Sequence, residues 1–306
     1  GDNLSVLSAL TVGEKEELSD EIRETYSATG VSHVLAISGL HVGLLYALLL
    51  LLFSWSWRRW RYARHVSIFP ITLLLGCFAF LTGFSPSAVR SVIMFSLLCM
   101  AAVQTGTLLT LNSISATAFL MLCFYPPWLF DAGFQLSFAA VTAICFIQPR
   151  LYRLWSFTHK AARYVWGLTT VSVAAQIGTA PLVIFYFHRF SVHFLLSNLW
   201  IIPLITLLLY VALLLPVCTP FPLLQQSVAQ GIDGLLTFQH RLLRLLEHLP
   251  GSSVTGLHTD VFEIALYYLF VLLVIRALSI KRVRSFYPPL LCLFVFACYY
   301  ALYDAG

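Results

Sequence analysis

Charged residues are scarce in this 306-residue sequence. Asp, Glu, Lys and Arg together make up 10% of it, whereas soluble domains carry about 25%. Hydrophobic residues make up 59%, and apolar runs long enough to cross a bilayer core of about 30 Å recur from end to end. These features exclude an ordinary soluble domain and are typical of an integral membrane protein.

The strand-like alternation of polar and apolar residues is missing as well. Backbone groups inside lipid must be satisfied within helices or closed barrels, and barrel strands show that alternation. The predicted fold class is therefore all-α. We expect a polytopic membrane protein with about 8–10 transmembrane or re-entrant helices, plus interfacial amphipathic helices.

Motifs for several kinds of chemistry are also absent. The seven cysteines are scattered without a CxxC pair, so a disulfide framework is not predicted. The sequence has no HxxxH or carboxylate–histidine spacing, which would indicate a metal site. It also has no GxxxxGK[ST] loop, which would indicate ATP hydrolysis. We therefore predict neither a metal nor a cofactor.

The sequence begins GDNLSVLSAL, without a basic leader or a small-residue cleavage site. A signal peptide is not predicted there. Because the first residue is Gly1 rather than methionine, we expect the chain to be a segment of a longer protein or to carry an added residue. We treat residues 1–306 as a single membrane-embedded domain.

Apolar and polar runs divide this domain into four parts. An acidic segment with apolar residues four apart predicts an amphipathic helix at 13–28. Residues 31–216 form the main helix bundle, and residues 260–303 form the C-terminal spans. Between them, 223–249 mixes leucines with Gln, His and Arg, which predicts an interfacial helix in the membrane plane. The predicted spans are 31–55, 66–83, 87–105, 111–127, 133–148, 164–187, 193–216, 260–279 and 286–303.

Basic clusters at 58–64, 150–163 and 276–284 predict the loops on the cytoplasmic side. If each predicted span crosses the membrane once, the first two basic clusters both lie on the cytoplasmic side. For the third cluster to lie there as well, the chain must cross the membrane an odd number of times between 164 and 216. Because proline can break a helix, we predict a re-entrant or interrupted segment near Pro181 or within 193–216.

Polar residues inside apolar segments are candidates for function because they are costly there. The predicted topology gathers His33, Arg90 and Asp131 at the outer end of the bundle. Arg90 either extends its guanidinium outward to water, pairs with Asp131, or faces a polyanionic substrate. Other polar residues lie deeper and either bond between helices or line one polar conduit: Ser38, His41, Gln135, Ser137, Gln176 and Asn198.

The stretch SHVLAISGLH contains a serine and a histidine three residues apart, Ser38 and His41. A catalytic pair would also need an orienting group and an oxyanion hole, and neither is evident nearby. His33 and His41 are two turns apart on a helix, so one metal ion does not easily bind both. Gly39 and Gly43 form a small-xxx-small pair, which favours close helix packing.

A family resemblance is carried by the stretch TGVSHVLAISGLHVGLL and by four later blocks. The first stretch resembles the signature of the ComEC-type competence proteins. The later blocks that are similar to this family, in order, are GFSPSAVRSVIMF, DAGFQLSFAAVTAI, AQIGTAPLVIFYFHRFS with SNLWIIPL, and LEHLPGSSV. The matches run from residue 13 to about 255.

The resemblance implies the central membrane channel domain, which imports single-stranded DNA across the bacterial cytoplasmic (inner) membrane during natural competence. It implies a multi-pass channel rather than an enzyme. The implied DNA-path residues are His33, Ser38, His41, Arg90, Asp131, Phe134, Gln135, Ser137, Gln176 and Asn198. The implied structural residues are Gly30, Gly39, Gly43, Pro181 and Pro203.

The resemblance also implies partners besides single-stranded DNA and membrane lipid. They are OB-fold and metallo-β-lactamase-like domains of a longer chain, a separate cytoplasmic DNA motor, and DNA-binding competence proteins. Two alternatives stay open. One is a small-solute or proton-coupled transporter that uses His33, Asp131 and Glu263, because such side chains can carry protons. The other is an intramembrane serine hydrolase that uses Ser38 and His41.

Overall fold

The computed structural model describes residues 2–14, 16–35, 37–59, 63–104, 111–216, 218–249, 251–280 and 282–304. Most of the described residues are helical, and a two-stranded sheet is the β structure found in these ranges. The predicted all-α fold class is confirmed. Lys281 and the loop at 105–110 lie outside the described residues, as does part of the basic cluster at 58–64.

In chain order the helices are α1 (Asp2–Thr11), α2 (Asp20–Ala28), α3 (Gly39–Arg59), α4 (Ala63–Val66), α5 (Ile68–Leu81), α6 (Pro86–Gln104), α7 (Leu111–Phe124), α8 (Ala132–Tyr152), α9 (Lys160–Phe187), α10 (Phe194–Leu214), α11 (Pro222–Glu247), α12 (Val261–Ile280) and α13 (Tyr287–Asp304). The strands β1 (Arg189–Ser191) and β2 (Ser253–Thr255) pair antiparallel. Single 3₁₀ turns occupy Ser32–Val34, Pro126–Phe130 and Val283–Phe286.

Four of the described helices, α8, α9, α10 and α12, are long and apolar enough to cross a membrane. The apolar parts of α3, α5, α6 and α7 are shorter. The first predicted span starts eight residues too early, because residues 32–34 form a 3₁₀ turn and the helix begins only at Gly39. The hydrophobic runs thus locate these helices, with the largest error in a span boundary at the start of α3.

The predicted break at Pro181 is wrong, because α9 runs through this residue without interruption. A proline inside a helix has no N–H, so the carbonyl four residues earlier, that of Ile177, lacks its helical partner. The Tyr267 hydroxyl of α12 donates to the Ile177 carbonyl at 2.9 Å, and the Tyr268 hydroxyl donates to the Gly178 carbonyl at 2.7 Å. Hydroxyls from a neighbouring helix therefore let α9 keep its proline in an apolar environment.

The helix α10 also continues through its proline, Pro203. Both α9 and α10 therefore count as spans by length and composition, and the odd number of crossings expected between 164 and 216 is not found. A Cβ atom at Gly178 would lie 2.4 Å from Ala143 Cβ and 2.7 Å from the Ala139 carbonyl oxygen. The glycine beside Pro181 thus serves close packing of α9 on α8, rather than a break.

Helices α1, α2, α10 and α11 share one hydrophobic core. The helix α11 matches the predicted interfacial segment, but its apolar residues Ile232, Leu236 and Leu243 are buried against this core. These residues contact protein, and the predicted placement of α11 in the membrane plane stays a prediction. The helix α2 is shorter than the predicted 13–28, because Ser19 caps it and the helix begins at Asp20.

Polar contacts fix α2 in this assembly. The Gln239 amide of α11 donates to the Tyr26 hydroxyl at 2.8 Å, and burial raises the pKa of Tyr26. Arg244 forms an ion pair with Glu21 at 3.1 Å. About one turn further along α2, Arg189 of β1 pairs with Glu24 at 2.8 Å. These contacts tie α2 both to α11 and to the strand that follows α9.

Candidate functional site

Arg90 is a buried cation in the second turn of α6, and only 3% of the residue is exposed. Its Nη1 donates to the Gly133 carbonyl of α8 at 3.1 Å, and its Nη2 donates to Ser87 Oγ at 2.9 Å. The guanidinium carbon lies 5.9 Å from the centroid of the Phe138 ring. All of these partners are neutral. We call Ser87, Arg90, Asp131, Gly133 and Phe138 the α6–α8 cluster.

Asp131 does not form an ion pair with Arg90. Its Oδ1 accepts from the Phe134 backbone N–H at 2.8 Å and so caps α8. The ion pairs found within the described ranges are Arg189–Glu24 and Arg244–Glu21. Of the three interpretations of Arg90, the outward extension to water is wrong because the residue is buried, and the pairing with Asp131 is not found.

An aromatic pair and an amide bridge extend the cluster along α8. The rings of Phe134 and Phe138 lie 4.4 Å apart between centroids. The Gln135 amide donates to the Leu129 carbonyl at 2.9 Å, and its Oε1 accepts from the Tyr186 hydroxyl of α9 at 3.0 Å. Gln135 therefore holds α9 against the start of α8.

Two of the predicted residues lie near this cluster in sequence or in space without a contact that assigns them a role. Ser137 is half-buried on α8, next to Phe138. Gln176 is half-buried on α9, two residues before Gly178. The structure leaves both as predictions.

The electrostatics of the α6–α8 cluster combine a buried cation with a nearby carboxylate. Arg90 lies near the N-terminal ends of α6 and α8, where the helix dipoles add partial positive charge. Asp131 favours the charged form of Arg90 electrostatically, although no ion pair joins the two side chains. The bonds to Gly133 and Ser87 fix the guanidinium in position. The cluster is therefore a buried cation held in place, and its role toward an anion stays a prediction.

Ser38 and His41 form a cap at the start of α3. The Ser38 backbone N–H donates to His41 Nδ1 at 3.2 Å, and Ser38 Oγ lies 3.1 Å from the same nitrogen. Ser38 Oγ also accepts from the Leu40 N–H at 3.3 Å. This arrangement resembles a capping box with histidine in the place of glutamate. The neutral imidazole then carries its hydrogen on Nε2, which is buried and has no partner in the described part of the chain.

The glycines of α3 lie on the side of the helix that contacts α6. A Cβ atom at Gly39 would lie 3.5 Å from Ser91 Oγ, and one at Gly43 would lie 3.0 Å from Phe95 Cζ. His41 is two residues from Gly39, or about 200° around the helix, so it faces away from α6. The structure therefore does not bring His41 and Arg90 together. His33 is exposed in the 3₁₀ turn before α3.

Polar residues at the start of α10 form a third group of candidate site residues. Asn198 and its neighbour Ser197 are buried, and Asn198 Oδ1 and Ser197 Oγ lack partners among the described residues. The same is true of His193 Nδ1, at the residue before α10. Sequence reasoning missed Ser197, His193 and also Ser87. The first two are neighbours of Asn198 in sequence or along the helix, which was the available signal.

One glycine of the first stretch supports this end of the molecule. Gly30 adopts a φ of +78°, and a Cβ atom there would lie 2.7 Å from Ser191 Cβ and 3.4 Å from Phe194 Cβ. A side chain is therefore excluded by space as well as by backbone conformation. The segment leading into α3 lies directly beside the end of β1 and the start of α10.

No group of three or more His, Cys, Asp or Glu residues that could hold a metal ion occurs in the part of the chain that the structure covers.

Two carboxylates of the transporter alternative serve as caps of different helices. Asp131 caps α8, and Glu263 Oε2 accepts from the Asp260 N–H at the start of α12.

Comparison with known proteins identifies the family. The profile of the competence protein family matches residues 10–281. The chain belongs to the competence protein family. The matched range includes the α6–α8 cluster, the cap of α3 and the start of α10.

This family member is similar to proteins from three distant bacteria. It is 32% identical over 205 residues to ComE operon protein 3 of Bacillus subtilis, and the aligned region covers 67% of this chain and 25% of that protein. It is 27% identical over 289 residues to competence protein ComA of Neisseria gonorrhoeae, covering 92% of this chain and 39% of that protein. It is 24% identical over 282 residues to recombination protein 2 of Haemophilus influenzae, covering 87% and 35%.

The chain therefore spans about a quarter to two fifths of the length of these relatives. No solved structure matches this family member.

Proposed function

We propose that this chain is the membrane channel domain through which single-stranded DNA crosses the bacterial inner membrane during natural competence, and that it spans this membrane many times. The observation that carries the proposal is Arg90, a buried cation with neutral partners inside a helical membrane bundle. The membership in the competence protein family supports the same conclusion.

Single-stranded DNA carries a negative charge at every phosphate, so its passage through lipid needs polar or cationic contacts at depth. Arg90 offers a fixed guanidinium, which can bind two phosphate oxygens at once. Phe134 and Phe138 lie beside it, and aromatic rings stack on bases without sequence preference. Among the described residues one cation rather than a row of them is buried, and a single cation attracts the strand without holding it, which suits transport.

We propose that the domain itself is not an enzyme and that its partners supply the remaining steps. The relatives are much longer than this chain, which leaves room in the full-length protein for an OB-fold domain and a metallo-β-lactamase-like domain. The sequence contains no ATP-binding loop, so the energy for import comes from a separate cytoplasmic motor, with DNA-binding competence proteins delivering the strand.

The alternatives are not favoured. A serine hydrolase needs a histidine nitrogen free to take the serine proton, but His41 Nδ1 already accepts from the Ser38 backbone N–H. No carboxylate of the described residues orients the other nitrogen. A proton-coupled transporter needs carboxylates that titrate together, whereas Asp131 and Glu263 cap separate helices.

The proposal is tested by replacing Arg90 in a transformable strain that depends on the full-length protein. Arg90→Ala should lower DNA uptake by about tenfold or more, because a charge-assisted hydrogen bond contributes about 1.5–3 kcal/mol and 1.4 kcal/mol is tenfold. Arg189→Ala is the matched control, since that arginine is ion-paired with Glu24 and should leave uptake nearly unchanged.

Uptake is measured as labelled DNA that becomes resistant to external nuclease, with the amount of protein in the membrane measured in parallel. Arg90→Lys should retain part of the uptake, because it keeps the charge and loses the planar geometry. Normal uptake by Arg90→Ala at a normal protein level would refute the role of Arg90.

A further inference from the structure

The turn between α8 and α9 exposes large apolar side chains. Leu154 and Trp155 are 69% and 64% exposed, and Phe157 is 40% exposed. The ring of Trp166 lies 5.3 Å from that of Trp155 and 6.0 Å from that of Phe157, between centroids. The Trp166 indole N–H donates to the Tyr152 carbonyl at 3.1 Å. These contacts fix the turn, which therefore presents apolar groups outward in a defined conformation.

Exposed cations flank these apolar side chains. Arg153 comes directly before Leu154, and Lys160 and Arg163 lie in the first turn of α9. The helix dipole disfavours cations at that end of a helix, and the two ion pairs found in the described ranges include none of the three. We call Arg153, Leu154, Trp155, Phe157, Lys160 and Arg163 the α8–α9 turn surface.

The helix ends beside this surface bring no carboxylate to it. The sequence contains neither Asp nor Glu from residue 132 to 232, or from 264 to 303. The end of α12 adjoins the end of α8, since Arg150 Nη2 donates to Ser279 Oγ at 3.3 Å, and it adds a further exposed cation, Arg276. The complement of such a surface is an anion that comes from outside the domain.

The apolar part of the surface favours a lipid over a nucleic acid. Leu154 is the most exposed of its apolar side chains, and an aliphatic side chain does not stack on a base. The Trp155 and Trp166 rings are tilted by 59°, so they do not form parallel stacking faces. Trp is enriched where proteins meet the headgroups of a bilayer, and Lys and Arg beside cytoplasmic helix ends bind anionic headgroups.

We propose that the α8–α9 turn surface binds the headgroup phosphate of anionic phospholipids in the cytoplasmic leaflet. Leu154 and Trp155 insert at the boundary between the headgroups and the acyl chains, and Arg153, Lys160 and Arg163 bind the phosphate. The predicted cytoplasmic position of the basic cluster at 150–163 places the surface at that leaflet. This role is separate from DNA transport, because it fixes the depth of α8 and α9 whatever the domain transports.

Lipid binding is tested with the full-length protein in detergent, by titration with fluorescently labelled phosphatidylglycerol or phosphatidylcholine. The test variant combines Arg153→Gln with Arg163→Gln. The matched control combines Arg241→Gln with Arg284→Gln, because these two arginines are exposed on other elements and their loss changes the net charge by the same amount.

We expect the parent protein to bind phosphatidylglycerol at least about tenfold more tightly than phosphatidylcholine, because each basic residue adds attraction to an anionic lipid. The test variant should lose most of this preference, and the control should change by less than about twofold. Equal affinity of the parent protein for the two lipids would overturn the proposal, as would equal losses in the two variants.

The variant that combines Arg153→Lys with Arg163→Lys keeps both charges and should keep most of the preference. A loss as large as that of the glutamine variant would mean that charge does not bind the lipid, which would also overturn the proposal.

A titration of the same proteins with a labelled single-stranded oligonucleotide separates the lipid from a nucleic acid. We expect the test variant and the control to bind the oligonucleotide equally well. Weaker oligonucleotide binding by the test variant, with its lipid preference unchanged, would identify a nucleic-acid surface and overturn the proposal.

Discussion

The α6–α8 cluster differs from the polar residues at the starts of α3 and α10 in how polar groups are satisfied. We call the latter, which are His41, His193, Ser197 and Asn198, the α3–α10 layer. In the cluster, Arg90 carries a full charge and is held by the Gly133 carbonyl and the Ser87 hydroxyl. In the layer, His41, Ser197 and Asn198 are neutral, and each keeps an atom without a partner. The same bundle thus contains a fixed charge at one place and unsatisfied neutral groups at another.

The difference separates a charge that can form an ion pair from neutral groups that cannot. A guanidinium without an ion pair can form one with an incoming phosphate, although Asp131 already favours its charged form. Neutral donors and acceptors gain little from any single phosphate and exchange readily with water. This contrast can be broken by changing the charge of either region.

The largest effect is expected from reversing the charge of the α6–α8 cluster. Arg90→Glu should lower DNA uptake by about a hundredfold or more, because the substitution removes an attraction and adds a repulsion. Uptake of labelled DNA measures the effect, and Arg189→Glu serves as the control for a charge reversal outside the bundle. If the two variants lose uptake equally, the cluster has no special role.

A smaller effect is expected from adding a charge to the α3–α10 layer. Asn198→Asp keeps the shape of the side chain and introduces a negative charge, so uptake should fall about tenfold. Asn198→Ser, which stays neutral and polar, should keep most of the uptake. Equal defects in both variants would mean that Asn198 acts through packing, and the contrast in charge between the two regions would lose its support.

The two nitrogens of His41 can be tested separately. His41→Asn keeps an acceptor near Nδ1 for the cap of α3, and His41→Gln keeps a donor near Nε2. We expect His41→Gln to retain uptake better by a fewfold, whereas His41→Asn should retain the thermal stability of the membrane domain better by about 1 kcal/mol. The reverse order in uptake would place the function of His41 in the cap and not in the layer.

The smallest effect concerns a pH dependence that belongs to neither region. Burial lowers the pKa of His240 on α11, and the nearby Arg244 lowers it further. The unfolded state therefore binds a proton at a higher pH than the folded state does, so stability is full above about pH 6.5 and declines as the pH falls below it. Thermal unfolding followed by tryptophan fluorescence should show this decline, and His240→Gln should reduce it.

The pH dependence caused by His240 is a useful control because His240 lies outside both the α6–α8 cluster and the α3–α10 layer. The uptake ratio between Arg90→Ala and the parent protein should stay constant from pH 7 to pH 6. A ratio that changes with pH over this range would show that the contribution of Arg90 depends on a group that titrates between these pH values.

Much of the fold was predictable because apolar runs determine where helices form in lipid. The predicted spans 133–148 and 260–279 correspond to α8 and α12 within a few residues. The interruption at Pro181 was wrong because the groups that compensate it, Tyr267 and Tyr268, lie 90 residues away and have no local signal. The core that α11 joins has no local signal either, since α1 and α2, which share it with α10, come from the start of the chain.

The candidate site was predictable in its residue types and not in its partners. Arg90 stands out because a cation inside an apolar run is costly, but its bond to Gly133 depends on how α6 meets α8. Likewise, Ser38 and His41 were recognised as a pair, whereas their role as a cap follows from the exact start of α3. Sequence spacing places groups on one helix and leaves the contacts between helices open.

The proline of α9 also has a consequence for biogenesis. The ribosome completes α9 well before it makes Tyr267, which is 90 residues from Ile177. Until α12 is inserted beside it, α9 carries an unpaired carbonyl in the membrane, where no water is available to satisfy it. The final form of α9 is therefore set late, so a chain truncated before α12 should leave α9 open to other partners and to quality-control proteases.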